Sequence, residues 1–334
     1  MESKAYEYMD WPRIEAIVYG EETSPKDVMA PRLTTDGVLV QGFFPEADKA
    51  EVLVGSRKYE MEKEDEAGYF AAMIPGRKIP EYEYRVTRGE EVQEFSDPYA
   101  FAGQITEAEE KAFCAGVYYH AYEKLGAHPM EINGVKGTSF AVWAPNAVRV
   151  SVVGNFNEWD GRRHAMHRMP MSGIFELFIP GVKVGDIYKY ELKLKGNRIE
   201  LKSDPYAACT EVPPAGASVV ADTGAFQWED EEWMAGRKKF GDRKQPVSIY
   251  ETSLTDWKDG AELVEFVKKL NYTHVELHPV MEYLDDEAGE YSTFAYYAPT
   301  RRFGMPQDFQ KTVNELHKAG IGLILDWTPS HFPR

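Results

Sequence analysis

GVLVQGFFPEADKAEVLVG over 37–55 and GTSFAVWAPNAVRVSVVG over 137–154 are the two stretches that set the architecture. Each reads as an apolar strand, a proline (Pro45, Pro145) and a second apolar strand. The likeness continues downstream in the same order. GYFAAMIPGRKI from Gly68 matches GIFELFIPGVKV from Gly173, YEYRV from Tyr82 matches YKYEL from Tyr188, and DPYA recurs at Asp97 and Asp204. The offset grows only from 100 residues (37 to 137) to 107 (97 to 204). Self-similarity at a nearly fixed spacing marks a duplicated unit, here a β-module.

Within the modules polarity alternates. In YKYELKLK, Tyr188, Tyr190, Leu192 and Leu194 share one face and charged residues share the other, which predicts an antiparallel sheet with one solvated side. Short strands punctuated by Pro and Gly make each module a small immunoglobulin-like antiparallel β-sandwich. Trp143 alternates with apolar neighbours and is expected in the core. EAEEKAFCAGVYYHAYEKLG, between the modules, predicts a helix and a connector, and a second helix over 230–239 leads into the polar stretch GDRKQP.

From Val247 the pattern changes. PVSIYE, THVELHPV and IGLILDW are continuous apolar runs, as in a parallel sheet covered on both faces. Leu263, Phe266, Val267 and Leu270 fall at i, i+3, i+4 and i+7 and predict an amphipathic helix. Pro306 suits a helix start and Gly320 a C-terminal cap. The resulting βαβαβ unit reads as the first part of a (β/α)8 barrel. A closed barrel takes roughly 250 residues, whereas 88 follow Pro246 (334 − 246). The barrel is therefore expected to be incomplete, with Val275, Leu277, Leu323, Ile324 and Leu325 deprived of neighbours. Self-association or a second polypeptide would complete it. The expected domains are 1–110 and 111–223 for the sandwiches, 224–246 for helix and linker, and 247–334 for the barrel start.

The net charge of −17 argues against nucleic acid or an anionic membrane as partner. Cys114 and Cys209 lack metal-ligand spacing and form no disulfide framework, which suits a reducing cytoplasm. MESKAYEYMD has no apolar run, so no signal peptide is expected, and no stretch reaches the apolar length of a membrane span. Within Arg162, Arg163, His164, His167 and Arg168, two histidines lack a third ligand, so no metal is assigned. Glu251 and Glu276 are read as structural, and EKEDEAG and WEDEEW as solvated faces.

WAPNAVRVSVVGNFNEWDGRRH resembles the starch- and glycogen-binding sandwich found ahead of branching and debranching enzymes. IYETSLTDW, THVELHPVMEY, YYAPTRRFG and ILDWTPSHF resemble the opening of the α-amylase-superfamily barrel (glycoside hydrolase family 13) in glycogen (1,4-α-glucan) branching enzymes, and YEKLGAHP and DPYA also suit that family. The likeness covers nearly the whole chain. In longer branching enzymes two sandwiches precede the barrel, which would explain the repeat. The resemblance implies retaining transfer of α-1,4-glucan segments to 6-hydroxyls through an aspartate nucleophile and a glutamate acid/base. Those carboxylates belong to later barrel strands and have no counterpart here, so no catalytic residue is assigned and the chain alone is expected to be inactive. It further implies α-glucan as the partner, no cofactor, sugar contacts by Tyr291, Asp326 and His331, and stacking on glucose by Trp159. Departures from the pattern are Gly289, Glu290 and Ser292 within GEYSTFAYYAPT, where the family reads WGYQVTGYYAPT, and Ser253 in ETSLTDW, where it reads EVHLGSW. The alternatives are a non-catalytic α-glucan-binding protein derived from a branching enzyme, or a debranching or trehalose-forming hydrolase.

Overall fold

The structure, a computed structural model, describes residues 4–238, 245–284, 292–327 and 329. Two compact units are present, Met1–Lys202 and Ser203–Arg334.

The first unit contains both β-modules. In the first module one sheet orders Arg32–Leu33, Val38–Phe43, Tyr69–Ile74 and Glu62–Asp65. The other orders Arg57–Glu60, Lys49–Val54, Glu83–Arg88 and Glu91–Ser96. All pairings are antiparallel. Val40, Val52, Phe70, Ile74, Tyr84 and Val86 fill the space between the sheets. The second module repeats this plan, with His167–Arg168, Ile174–Pro180, Val135–Trp143 and Gly126–Ile132 in one sheet. Arg149–Gly154, Ile187–Lys193 and Ile199–Lys202 make the other.

The duplication holds at the level of single hydrogen bonds. Phe44 N donates to Gly68 O at 2.7 Å, and Ala144 N to Gly173 O at 3.1 Å. Both glycines have positive φ, 107° and 74°. A Cβ would lie 2.4 Å from Phe44 O in the first copy and 2.8 Å from Pro145 Cα in the second, so glycine is required twice for the same reason. Tyr84 OH donates to Gln41 O and Tyr190 OH to Ala141 O, at 2.7 and 3.4 Å. Each DPYA aspartate accepts the backbone N–H two residues on at 2.8 Å, Asp97 from Tyr99 and Asp204 from Tyr206.

Three expectations for this unit are corrected. The charged face of Ile187–Lys193 is covered rather than solvated: Lys193 is 9% exposed, while Leu192 is only partly buried. Helices Trp11–Val18 and Pro25–Met29 precede the sandwiches; Lys193 Nζ donates to Tyr19 O at 2.9 Å, and buried Arg149 pairs with Glu191. Alternation also fails in Val135–Trp143, whose Thr138–Val142 stretch is buried throughout, and in its neighbour Ile174–Pro180, which the connector packs against. Phe101 meets Phe178 at 4.8 Å. Gln104 N and Ile105 N donate to Glu176 Oε2 at 2.8 and 3.2 Å. Helix Glu107–Cys114 starts with a Thr106/Glu109 capping box, and its Glu110 Oε1 accepts Met171 N, Ser172 N and Ser172 Oγ at 2.8–2.9 Å. Third, Trp143 lies at the edge of this cover and is 53% exposed, outside the core.

The second unit holds a parallel sheet in the order Ile249–Thr252, His274–Leu277, Gly322–Leu325. Helices Gly260–Lys269 and Pro306–Lys318 join the strands; Pro306 is in the first turn and Gly320, at φ 73°, follows the end. Val275 and Leu277 are fully buried against Leu263, Val267 and Leu316. This overturns the expectation that they lack neighbours: successive strand residues face opposite sides, and these two face the helices. Leu323 packs on the same core, whereas Leu325 is 46% exposed. Glu251, Glu276 and Ile324 are paired side by side in register. Leu270 is 49% exposed, because it caps the helix where the chain turns away. Among the described residues no helix is long and apolar enough to cross a membrane.

Candidate functional site

Strand Arg149–Gly154 ends in the 3-10 turn Asn155–Asn157, after which Glu158 and Trp159 adopt φ of 57° and 61°. Two successive non-glycine residues there cost on the order of 1–3 kcal/mol each, so the surroundings must hold them. Buried Asn157 supplies that hold: its Oδ1 accepts Gly154 N at 2.9 Å, and its Nδ2 donates to Val152 O and His164 Nδ1, both at 2.8 Å. Burial, aided by the Arg163 charge, pushes the His164 imidazole down to about 4, so its Nδ1 is an acceptor at neutral pH. Trp159 N donates to Gly154 O at 3.0 Å and its indole Nε1 to Asn155 Oδ1 at 2.9 Å. Arg163 pairs with Glu158 at 3.0 Å and Arg162 with Asp160 at 2.7 Å. The residue is thus fixed by one backbone and one indole hydrogen bond yet 37% exposed. A fixed, partly open aromatic plate can stack on a flat apolar face of a ligand without first losing rotamer freedom.

Trp143, which sequence reasoning assigned to the core, is the other exposed indole of this module. Its Nε1 donates to Ser172 O at 2.9 Å, and Phe113 meets it edge-on at 6.0 Å. Its place just before Ala144-Pro145, at the strand's end, was the available signal. His164 has spent Nδ1 on Asn157, and among the described residues no His/Cys/Asp/Glu group is arranged to hold a metal.

In the second unit Asp326 follows strand Gly322–Leu325, is partly exposed, and donates its N to Leu277 O at 3.1 Å. Tyr291 and His331 lie outside the described residues. Exposed Glu251 sits 3.6 Å from His278 Nε2. Glu282 is a fully buried carboxylate of this unit and accepts from Thr210 Oγ1 at 3.0 Å, Arg301 N at 2.6 Å and Arg302 Nη1 at 2.9 Å. The Arg302 guanidinium also covers the Tyr283 ring at 3.7 Å. Glu282 is occupied by structural partners.

Residues 10–99 match the family described as alpha-1,4-glucan branching enzyme GlgB, N-terminal domain, and residues 124–207 match carbohydrate-binding module 48 (isoamylase N-terminal domain). The 1,4-alpha-glucan branching enzyme GlgB of Cereibacter sphaeroides is 42% identical over 342 residues, covering 99% of this chain and 47% of that protein. The chain matches the N-terminal part of the branching enzyme GlgB. The GlgB of Cellvibrio japonicus is 40% identical over 323 residues, covering 91% and 44%. The chain spans about half the length of these curated GlgB relatives. Among solved structures, a type I pullulanase from Bacillus subtilis complexed with maltose aligns over 91% of this chain and 47% of its own, at 20% identity and a TM-score of 0.48. The GlgB match coincides with the first sandwich, and the module 48 match with the sandwich that carries Trp159.

Proposed function

We propose that this chain is the glucan-holding front part of a 1,4-α-glucan branching enzyme of glycogen biosynthesis. Trp159 stacks on the glucan, and the parallel sheet opens a (β/α)8 barrel in which Tyr291, Asp326 and His331 contact the sugar. Retaining transfer needs two closely spaced carboxylates, and the barrel's later strands would supply them; no residue here is given that role, and neither cofactor nor metal is involved. The observation that carries the reading is the fixed, exposed Trp159 on a module 48 sandwich. One stacking indole gives a dissociation constant of roughly 0.1–1 mM, about −4 to −5.5 kcal/mol.

Affinity electrophoresis in glycogen gels reads that range. The parent is expected to be retarded and Trp159→Ala to run freely. Equal retardation of both would place the binding surface elsewhere. An iodine-stain assay on amylose tests the other half: the chain alone should leave the stain unchanged, and chain transfer to 6-positions would overturn the assignment of the chemistry to later strands.

A further inference from the structure

The Trp159 loop rests on charged groups that are fixed from outside its own module. Strand Arg149–Gly154 and its neighbour Ile187–Lys193 set Arg149 opposite Lys193 and Ser151 opposite Glu191. Arg149, Glu191 and Lys193 therefore share one face of the sheet. The Arg149 and Glu191 side chains are 7% and 16% exposed and form an ion pair. Taking two charges out of water gives little net stability, and apolar residues of similar size often do as well. A buried pair does supply a fixed geometry.

Both ends of the pair are pinned. On the Arg149 side, helix Trp11–Val18 ends in the turn at Tyr19 and Gly20. Gly20 has φ 63°, and a Cβ there would collide with the Arg149 guanidinium, so the turn closes directly over the cation. Lys193 donates to Tyr19 O at 2.9 Å and stands 3.7 Å from the Glu21 carboxylate. Burial lowers the proton affinity of Arg149, and the Glu191 and Asp160 carboxylates act against that. On the Glu191 side, Gly161 is buried and so close to the carboxylate that a Cβ would overlap it. Gly161 is not in the left-handed region, so glycine is required there by contact and not by backbone. Trp159 lies two residues before Gly161. One residue after it, Arg162 reaches Glu46 of the first sandwich at 3.3 Å.

We infer that Arg149 and Glu191 are positioning residues of the glucan platform. The end of Trp11–Val18 fixes the Arg149 guanidinium, the guanidinium fixes the Glu191 carboxylate, and Gly161 seated on that carboxylate sets how Trp159 presents its ring. The N-terminal helix, outside the module 48 match at 124–207, thereby becomes part of the glucan site. This role rests on the reading of Trp159 as the glucan contact.

Calorimetric titration of the whole chain with maltoheptaose tests it, together with the indole N–H signals of an isotope-labelled sample, in which Trp159→Ala identifies the Trp159 signal. Gly161→Ala leaves the ion pair intact and is expected to weaken binding about fivefold or more and to move the Trp159 signal, with little change in the unfolding midpoint. Glu191→Ala should weaken binding similarly, but it also strands the Arg149 charge and lowers the midpoint. Glu191→Gln keeps the shape and an acceptor and should recover most of the affinity. The two alanine changes should not add, because without the carboxylate Gly161→Ala has nothing to collide with. Parental affinity in Gly161→Ala and Glu191→Ala, when Trp159→Ala no longer binds, would overturn the positioning role and leave the platform standing. Fully additive losses, or an unmoved Trp159 signal, would overturn it as well. Binding that survives Trp159→Ala would instead remove the platform, and this role with it.

Discussion

The two copies of the β-module share a framework and differ in one loop. Both close a tyrosine hydroxyl onto the opposite sheet, through Tyr84 and Tyr190, and both pass a positive-φ glycine beneath the proline turn. After the third strand of the first copy, Lys49–Val54, the chain reverses at Gly55 directly into Arg57–Glu60. After the equivalent Arg149–Gly154 it instead runs through NFNEWDGRRH before bridging back from Ala165 to Ser151. The framework carries stability, and the elaborated loop carries an exposed indole. Duplication kept the first and freed the second to vary.

The largest effects are expected where the copies agree. Gly68→Ala should cost about 3 kcal/mol or more and Gly173→Ala about 2 kcal/mol, because the added Cβ meets backbone at a φ that side chains disfavour. Chemical denaturation measures both, and a neutral result at either would break the equivalence. Next comes pH, where the copies should oppose each other. Burial raises the Asp97 carboxyl to about 6 despite its three donors, so the folded state holds a proton the unfolded chain releases, and stability falls as pH rises from about 4 to 6. His164, lowered to about 4, is neutral when folded and charged when unfolded, so its contribution is lost as pH falls from about 6.5 to 4. Each term is at most on the order of 3 kcal/mol. The parent should show a shallow slope, Asp97→Asn a rise with pH, and His164→Gln a fall. Identical slopes in all three would sink the account.

Where the copies differ, stability should move little. Trp159→Ala is expected to change unfolding free energy by under about 1 kcal/mol while abolishing glycogen retention. Smallest in its effect on binding is Trp143→Ala, which loses one hydrogen bond and one ring edge, about 1 kcal/mol, and keeps retention. If instead Trp143→Ala releases the protein from glycogen gels, the binding face lies on the strand end rather than the loop.

The repeat was legible because its proline, glycine and DPYA positions are backbone requirements, which a sequence displays directly. The parallel βαβαβ unit was legible from continuous apolar strands and from Pro306 and Gly320. Burial on the outer sheet faces was not. Strand periodicity reports two sides of a strand but not what packs on the second one, so Lys193 and Trp143 were each placed on the wrong side of the solvent boundary. The covering pieces, Trp11–Val18, Pro25–Met29 and the connector, are short and weakly patterned. Trp159 was read from its turn-rich setting, but the Asn157–His164 brace behind it depends on contacts seven residues apart that no period predicts.

The connector's two carboxylate clasps bear on how this chain can be cut. Glu176 holds Gln104 and Ile105, and Glu110 holds Met171 and Ser172. A second sandwich expressed from residue 111 would keep Glu176 on its sheet and lose the N–H groups that satisfy it, leaving an acid already raised by burial with nothing to accept from. The same segment should resist proteases in the intact chain. The practical unit for crystallisation or module transplantation therefore begins upstream of Ala102, with the linker treated as part of the fold it precedes.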